Sequence, residues 1–413
     1  MESEQAAPLR TAIESPRDDE LFGLRSCLRW MCLDQSNAGL AVVSWVALFV
    51  LAVAVPAASH FVLCYRPHRR PYDLVAQLSL TVASALSFLT LSPATRRYGL
   101  RRFFFLDKLP GQSARVRLAY TAQLRSSFRL LALFIAPCFA AEVAYKLWWY
   151  AFSAIRIPFL GNRVATSCVA CALELASWTY RAASFLVVCV MFRSICHLQI
   201  LRLQEFAAAF QAESEAVAVL KEHLRLRRQL KVISHRFRGF ILWGLIIVTA
   251  SQFAAVFVTT RPHSDDNLFN TGELALCSVV LVTGMLICLH SAAKITHKAQ
   301  ALTSHATKWH GCATVESFSM DPDAASEVIA SGDGYSDEEE DSEEDELEDT
   351  KIVHPHAHTI SFQKRQALVT YLENNGAGIT IFGFTMDRSW LSTIFMFQIS
   401  LFLWLLDKTI GIS

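Results

Sequence analysis

Seven stretches of this 413-residue chain are each long and apolar enough to cross a lipid bilayer, which leaves few folds open to it. A hydrocarbon core of about 30 Å takes about 20 apolar residues in helical form. The stretches are 39–64, 72–92, 128–150, 164–192, 239–260, 270–293 and 389–406. The first, fifth and seventh contain no Asp, Glu, Lys or Arg. One central Arg would cost about 2.5–3.5 kcal/mol on insertion scales, so charge-free runs of this length are strong signals. The expected fold class is all-α: a polytopic membrane protein with seven transmembrane helices.

The basic residues orient it. Connections on the side of the N-terminus (1–38, 93–126, 193–238 and 294–388) hold 28 Lys and Arg, against 8 on the other side. Cytoplasmic connections carry the excess, so the N-terminus is expected in the cytosol and the C-terminus outside. Arg66, Arg69 and Arg70 run against this assignment, on an outer connection.

The net charge of +1 hides two unlike populations. Residues 336–349 hold 11 acids in 14 positions, and without them the chain carries +12, most of it at the inner membrane surface. Such a surface suits an anionic cytoplasmic leaflet. Nucleic acid is not an expected partner, because the bases flank spans instead of striping a soluble domain. Eleven Cys do not build a disulfide framework, since most fall within spans. The Cys168-x-x-Cys171 spacing reads as small-residue packing in an apolar helix. Cys27, Cys32 and Cys196 lie at the inner boundary, where palmitoylation occurs. The first 38 residues lack the apolar core of a cleavable signal, so the first span itself is expected to direct insertion.

Five segments follow. Residues 1–38 form a cytosolic arm, polar to 20, then amphipathic over 21–34 as an interfacial helix would be. Residues 39–311 form a six-helix transmembrane bundle with a helical cytosolic extension at 193–238. That extension has no Pro or Gly and carries Val217, Leu220, Leu224 and Leu230, which need something to pack on. Residues 312–358 form an acidic and His-rich loop of disordered composition. Residues 359–388 hold a short helix with Phe362, Gln366, Leu368, Val369 and Leu372, stopped by Asn375-Gly376-Ala377-Gly378. Residues 389–413 hold the seventh helix and a short tail.

The tail GITIFGFTMDRSWLSTIFMFQISLFLWLLDKTI is the most specific text in the chain. Its Gly383, Phe384, Asp387, Arg388 and Ser389 resemble the C-terminal signature of insect gustatory and odorant receptors. It is similar, more closely, to the plant gustatory-receptor-like family. The resemblance implies an insect chemoreceptor-like fold and a homotetrameric, ligand-gated, non-selective cation channel. In that arrangement the last helix lines a central pore and ligands sit in the outer half of each bundle. This chain departs from the insect pattern where Thr-Tyr and Gln-Phe are replaced by Ser400-Leu401 and Asp407-Lys408. Expected pore-lining residues are Gln398, Leu401, Leu405 and Asp407, with Asp407 also able to form an outer acidic ring. For Gln398, interhelical hydrogen bonding is an equal alternative. Asp387 suits a helix cap and Arg388 suits headgroup phosphates.

Other intramembrane polar groups are Glu142 and Lys146, four apart on one helix, with Glu174 and Gln252. They are the expected ligand-pocket residues, against the plainer reading that they pair only to make burial tolerable. Glu273 and His60 lie near outer ends, and Arg181 is too far from Glu174 along the helix to pair with it. His354, His356 and His358, with His305, His310 and Cys312, have spacing that occurs in zinc-handling loops. Ser336 and Ser342 sit among acids as acidophilic kinase sites do. There is no phosphate-cradling loop, nucleophile elbow or intramembrane protease motif, so an enzyme is not expected and no cofactor is implied. The alternatives are a secondary or metal-ion transporter with a regulatory loop, or a non-conducting membrane scaffold of the same fold. The lipid bilayer and an unknown small-molecule ligand are the other expected partners. The location is the plasma membrane or an endomembrane.

Overall fold

Hydrocarbon offers no hydrogen bonds to backbone groups, so apolar runs of this length close their own as helices. The computed structural model describes residues 22–63, 73–93, 96, 114–152, 163–211, 216–259, 272–319 and 362–410. A short helix, α1 (Phe22–Trp30), precedes α2 (Ala38–Ala47), which passes through a π-helical segment (Leu48–Ala54) into α3 (Val55–Leu63). Then come α4 (Asp73–Pro93), α5 (Ala114–Phe152), α6 (Arg163–Gln211), α7 (Ala216–Thr259) and α8 (Gly272–Ser319). The chain closes with α9 (Phe362–Asn374), a hairpin of β1 (Thr380–Ile381) and β2 (Phe384–Thr385), and α10 (Arg388–Ile410). Six helices among the described residues are long and apolar enough to cross a membrane, and they correspond to the first six expected stretches. The seventh stretch, 389–406, falls within α10. The polar arm 1–20 and the acidic, His-rich residues 320–358 lie outside the described residues, while α8 runs on to Ser319.

The residues divide into two compact units. The first comprises 1–190, 243–284 and 405–413. Its centre is α6, where every residue from Tyr180 to Val190 is buried. Gly284 of α8 lets the Phe185 ring approach so closely that an added Cβ would lie 2.5 Å from it. The expected interfacial helix is α1: Leu28 is fully buried and Trp30 is 88% exposed. Asp34 holds it, accepting from Arg29 at 3.1 Å and from the backbone N–H of Ser36 at 3.1 Å. Gln35 accepts from Ser92 Oγ at 2.7 Å, which fixes this corner to the end of α4.

The second unit comprises 191–242 and 285–404. In α7 the buried residues include Val219, His223, Leu226, Leu230, Ile233, Phe237 and Phe240, one helical stripe at intervals of three and four. Of the apolar residues flagged in the extension, Leu230 is buried, while Val217 and Leu224 are about half exposed. Arg202 reaches across to Gln229 at 2.7 Å, and Phe192 packs on Phe237 at 4.9 Å between centroids. Helix α9 buries Leu368, Val369 and Leu372; Phe362 and Gln366 are exposed. It stops where expected, with Asn375 Nδ2 donating to the Tyr371 carbonyl at 3.0 Å. Gly378 then lies against Thr296, leaving room for the Ile379 N–H to reach Thr296 Oγ1 at 3.2 Å. The next N–H, of Thr380, donates to Ser234 Oγ at 3.0 Å. The two-residue turn has positive φ at both Phe382 (49°) and Gly383 (94°), as primed hairpin turns require.

A 44-residue helix is about twice what a bilayer needs, so the basic first half of α7 lies outside the apolar stretch that begins at 239. There His223 is buried against Phe206 and Tyr371. Burial first, and Arg227 second, push its pKa down from 6.5 to about 4. The folded unit favours neutral His223, so its contribution is complete above pH 6.5 and is lost as pH falls towards 4. Thermal unfolding of purified protein between pH 7 and pH 4 should show this loss, and His223→Gln should reduce the slope. Gly284→Val should lower stability by about 1–3 kcal/mol through overpacking against Phe185. Gly239→Ala, which meets nothing within 4 Å, should not.

Candidate functional site

Ionisable side chains inside an apolar bundle persist only where they find partners or water. In the first unit they find one another. Lys146 of α5 is 1% exposed, and its Nζ lies 2.8 Å from Glu174 Oε2, 3.1 Å from Glu273 Oε2 and 3.7 Å from Glu142 Oε1. The three carboxylates come from α6, α8 and α5, and each is at least nine-tenths buried. Two are held at their second oxygen as well. Ser59 Oγ of α3 donates to Glu174 Oε1 at 2.5 Å, and Gln77 Nε2 of α4 donates to Glu273 Oε1 at 2.7 Å. One ammonium thus joins three helices directly and two more through Ser59 and Gln77.

The cluster continues into a polar seam. Arg181 donates to Ser177 O (3.2 Å), Gln77 O (3.1 Å) and Thr81 Oγ1 (3.3 Å). Farther along, Ser84 and Ser184 share a hydrogen bond of 2.7 Å. Positions 77, 81 and 84 on α4 and 177, 181 and 184 on α6 recur every three or four residues, so each set forms a stripe on one helix face. The paired numbers rise together, so these two helices run parallel. The first span runs opposite to α6: Glu174 meets Ser59, and Ser177 meets Leu51.

Pro56 explains a further part of the seam. Lacking an N–H, it cannot bond the carbonyl four residues back, Ala52, or that five residues back, Leu51. Thr81 Oγ1 donates to Ala52 O at 3.0 Å and Ser177 Oγ donates to Leu51 O at 2.6 Å. These two carbonyls lie in the π-helical segment. Neighbouring helices therefore supply the donors that a proline in the first span withholds.

Of the expected pocket residues, Glu142, Lys146 and Glu174 come together, whereas Gln252 pairs with Ser278 at 2.8 Å. Glu273 joins as a principal member. Ser59 and Gln77 escaped the sequence reading, although the period of Gln77, Thr81 and Ser84 was a legible signal. Nine described cysteines are free thiols, and Cys196 is buried. No group of three His, Cys, Asp or Glu with metal-binding geometry occurs among the described residues.

On α10, Asp387 caps the helix start: its Oδ1 accepts from Arg388 N at 2.7 Å and its carbonyl from Leu391 N at 3.2 Å. Gly383 lies in the hairpin turn and Phe384 opens β2 just before it. Trp390, Leu391, Ile394 and Gln398 are half-buried, whereas Ser392, Thr393, Met396, Phe397, Ile399, Ser400 and Leu403 are exposed. The expected pore residues Leu401, Leu405 and Asp407 lie outside the residues whose side chains are described.

This arrangement defines a polytopic helical membrane protein with the fold of the insect olfactory receptors. The olfactory receptor OR5 from Machilis hrabei in complex with eugenol matches with a TM-score of 0.54 at 10% identity, over 94% of this chain and 100% of that one. A second structure of the same receptor matches at 0.54 and 11%, over 94% and 99%. No curated protein matches the sequence. The chain belongs to the family described as "Protein of unknown function (DUF3537)", which matches residues 19–397.

The proline–hydroxyl exchange is testable by a double-mutant cycle. Ser177→Ala strands the Leu51 carbonyl and should destabilise the protein by roughly 0.5–1.5 kcal/mol. Pro56→Ala restores an N–H to the first span, so adding it should recover part of that loss in thermal unfolding.

Proposed function

We propose that this chain is the subunit of a chemoreceptor-type, ligand-gated cation channel. It has seven spans, a cytosolic N-terminus and an extracytosolic C-terminus, and assembles as a homotetramer around α10. The observation that carries this reading is the uncovered side of α10. A membrane-length helix exposes Ser392, Met396, Ile399 and Leu403 on one face, with hydroxyls of Thr393 and Ser400 beside them. Hydroxyls gain little against lipid, but they suit a wet conduit shared with other copies. The bias of basic residues supports the orientation. Half-exposed Val217 and Leu224 supply apolar surface for contacts between subunits. The full-length likeness of fold to an insect olfactory receptor, one of whose structures holds eugenol, supports the class.

In this reading the conduit is lined by the exposed face through Ser392, Met396, Ile399, Leu403 and, by helical phase, Asp407. Half-buried Gln398 turns towards the subunit's own helices. The Lys146 cluster lines or abuts the ligand pocket. A scaffold without conduction is the second reading, favoured by Leu401 and Lys408 at positions where the insect pattern differs.

Particle symmetry of detergent-purified protein, followed by recordings in reconstituted bilayers, tests both. A fourfold particle is expected. Leu403→Ser should raise basal conductance by wetting a constriction, and Asp407→Asn should weaken cation preference. A monomer or dimer would sink the channel reading. A fourfold particle silent in every variant would leave the scaffold.

A further inference from the structure

The Lys146 cluster has the form of a receptor site for one chemical group. An alkylammonium has three N–H donors spread in a cone about the C–N axis, and three carboxylates from three helices face one such group here. The acceptors are held from outside as well: Ser59 orients Glu174 and Gln77 orients Glu273. Those bonds do not involve the lysine, so two walls of the cage are fixed independently of what fills it. Glu273 lies in the first turn of α8 and Ser59 one turn before the end of α3, so the cage sits near helix ends.

We propose that Glu142, Glu174 and Glu273 form a primary-ammonium site whose resident occupant is the tethered ammonium of Lys146, and that small alkylammonium ions are the ligand class that competes for it. An ammonium already lies at its centre, so the site does not rest on acidic residues alone. The binding claim stands on this geometry; that binding gates a conduit rests on the channel reading above.

Lys146→Ala removes three methylenes and the ammonium, the atoms of n-propylammonium. The full chain in detergent would be melted with n-propylammonium chloride, with sodium chloride at equal ionic strength, and with n-propanol. The variant should melt below the wild type, and n-propylammonium should raise its midpoint saturably while the two controls do not. The wild type should need more than about tenfold higher concentration, because a tethered group competes at high effective concentration. Lys146→Ala/Glu174→Gln should lose the response. If Lys146→Ala folds only when n-propylammonium is present during expression, the site is equally supported. Equal recovery by sodium chloride or propanol, or no recovery under any condition, overturns it. Recordings separate the two readings: a thermal response without current keeps the cage and removes the gating, whereas current without a saturable thermal response removes the cage.

Discussion

The first unit is organised around the contact between Lys146 and its three carboxylates. None of the four side chains would be tolerated alone in an apolar bundle, since the effective penalty for burying an ion is several kcal/mol. Together they turn a liability into a constraint, because the charges must meet and the helices that carry them must therefore align. Glu142 and Lys146 set the rotation of α5, Glu174 that of α6 and Glu273 that of α8. Apolar packing alone leaves helix rotation loosely defined, because one face of Leu and Val packs much like the next. A cluster met at 2.8 to 3.7 Å does not.

The seam beside the cluster fixes register in the same way. Arg181 bonded to Gln77 and Thr81, and Ser84 bonded to Ser184, admit one sliding position of α4 against α6. The first span is tied in by its own defect. Pro56 withholds a donor, the helix widens over Leu48–Ala54, and hydroxyls from two other helices complete the hydrogen bonding. A disruption that would weaken an isolated helix specifies an assembly, because its remedy lies on its neighbours.

In the second unit the link into α10 is held by backbone donors as well as by the buried side chains of Ile379, Ile381 and Met386. Thr296 and Ser234 accept successive N–H groups from Ile379 and Thr380, and Arg238 lies over the Phe382 ring at 5.2 Å. Gly378 makes the approach possible, and Gly383 with Phe382 turns the chain tightly back before the Asp387 cap. These contacts connect α7 and α8 to the start of α10 within this unit. In the channel reading, that is the path by which the rest of the subunit acts on the conduit.

The sequence by itself determined the helices, because hydrocarbon admits little else and the apolar runs are long and clean. It also determined the stop at Asn375-Gly376-Ala377-Gly378 and the pairing of Glu142 with Lys146, both local matters of conformation or spacing. The tertiary structure decided what depends on distance along the chain. Ser59 and Glu174 are 115 residues apart and Gln77 and Glu273 are 196 apart, and no local period announces that they meet. It separated Gln252 from the cluster and gave it to Ser278. It also assigned the described faces of α10, whose mostly apolar sequence carries little sign of which side its own subunit covers. Helix formation is a property of neighbours in sequence. Rotation and register are properties of neighbours in space, and in an apolar bundle only the few polar groups, once brought together, define them.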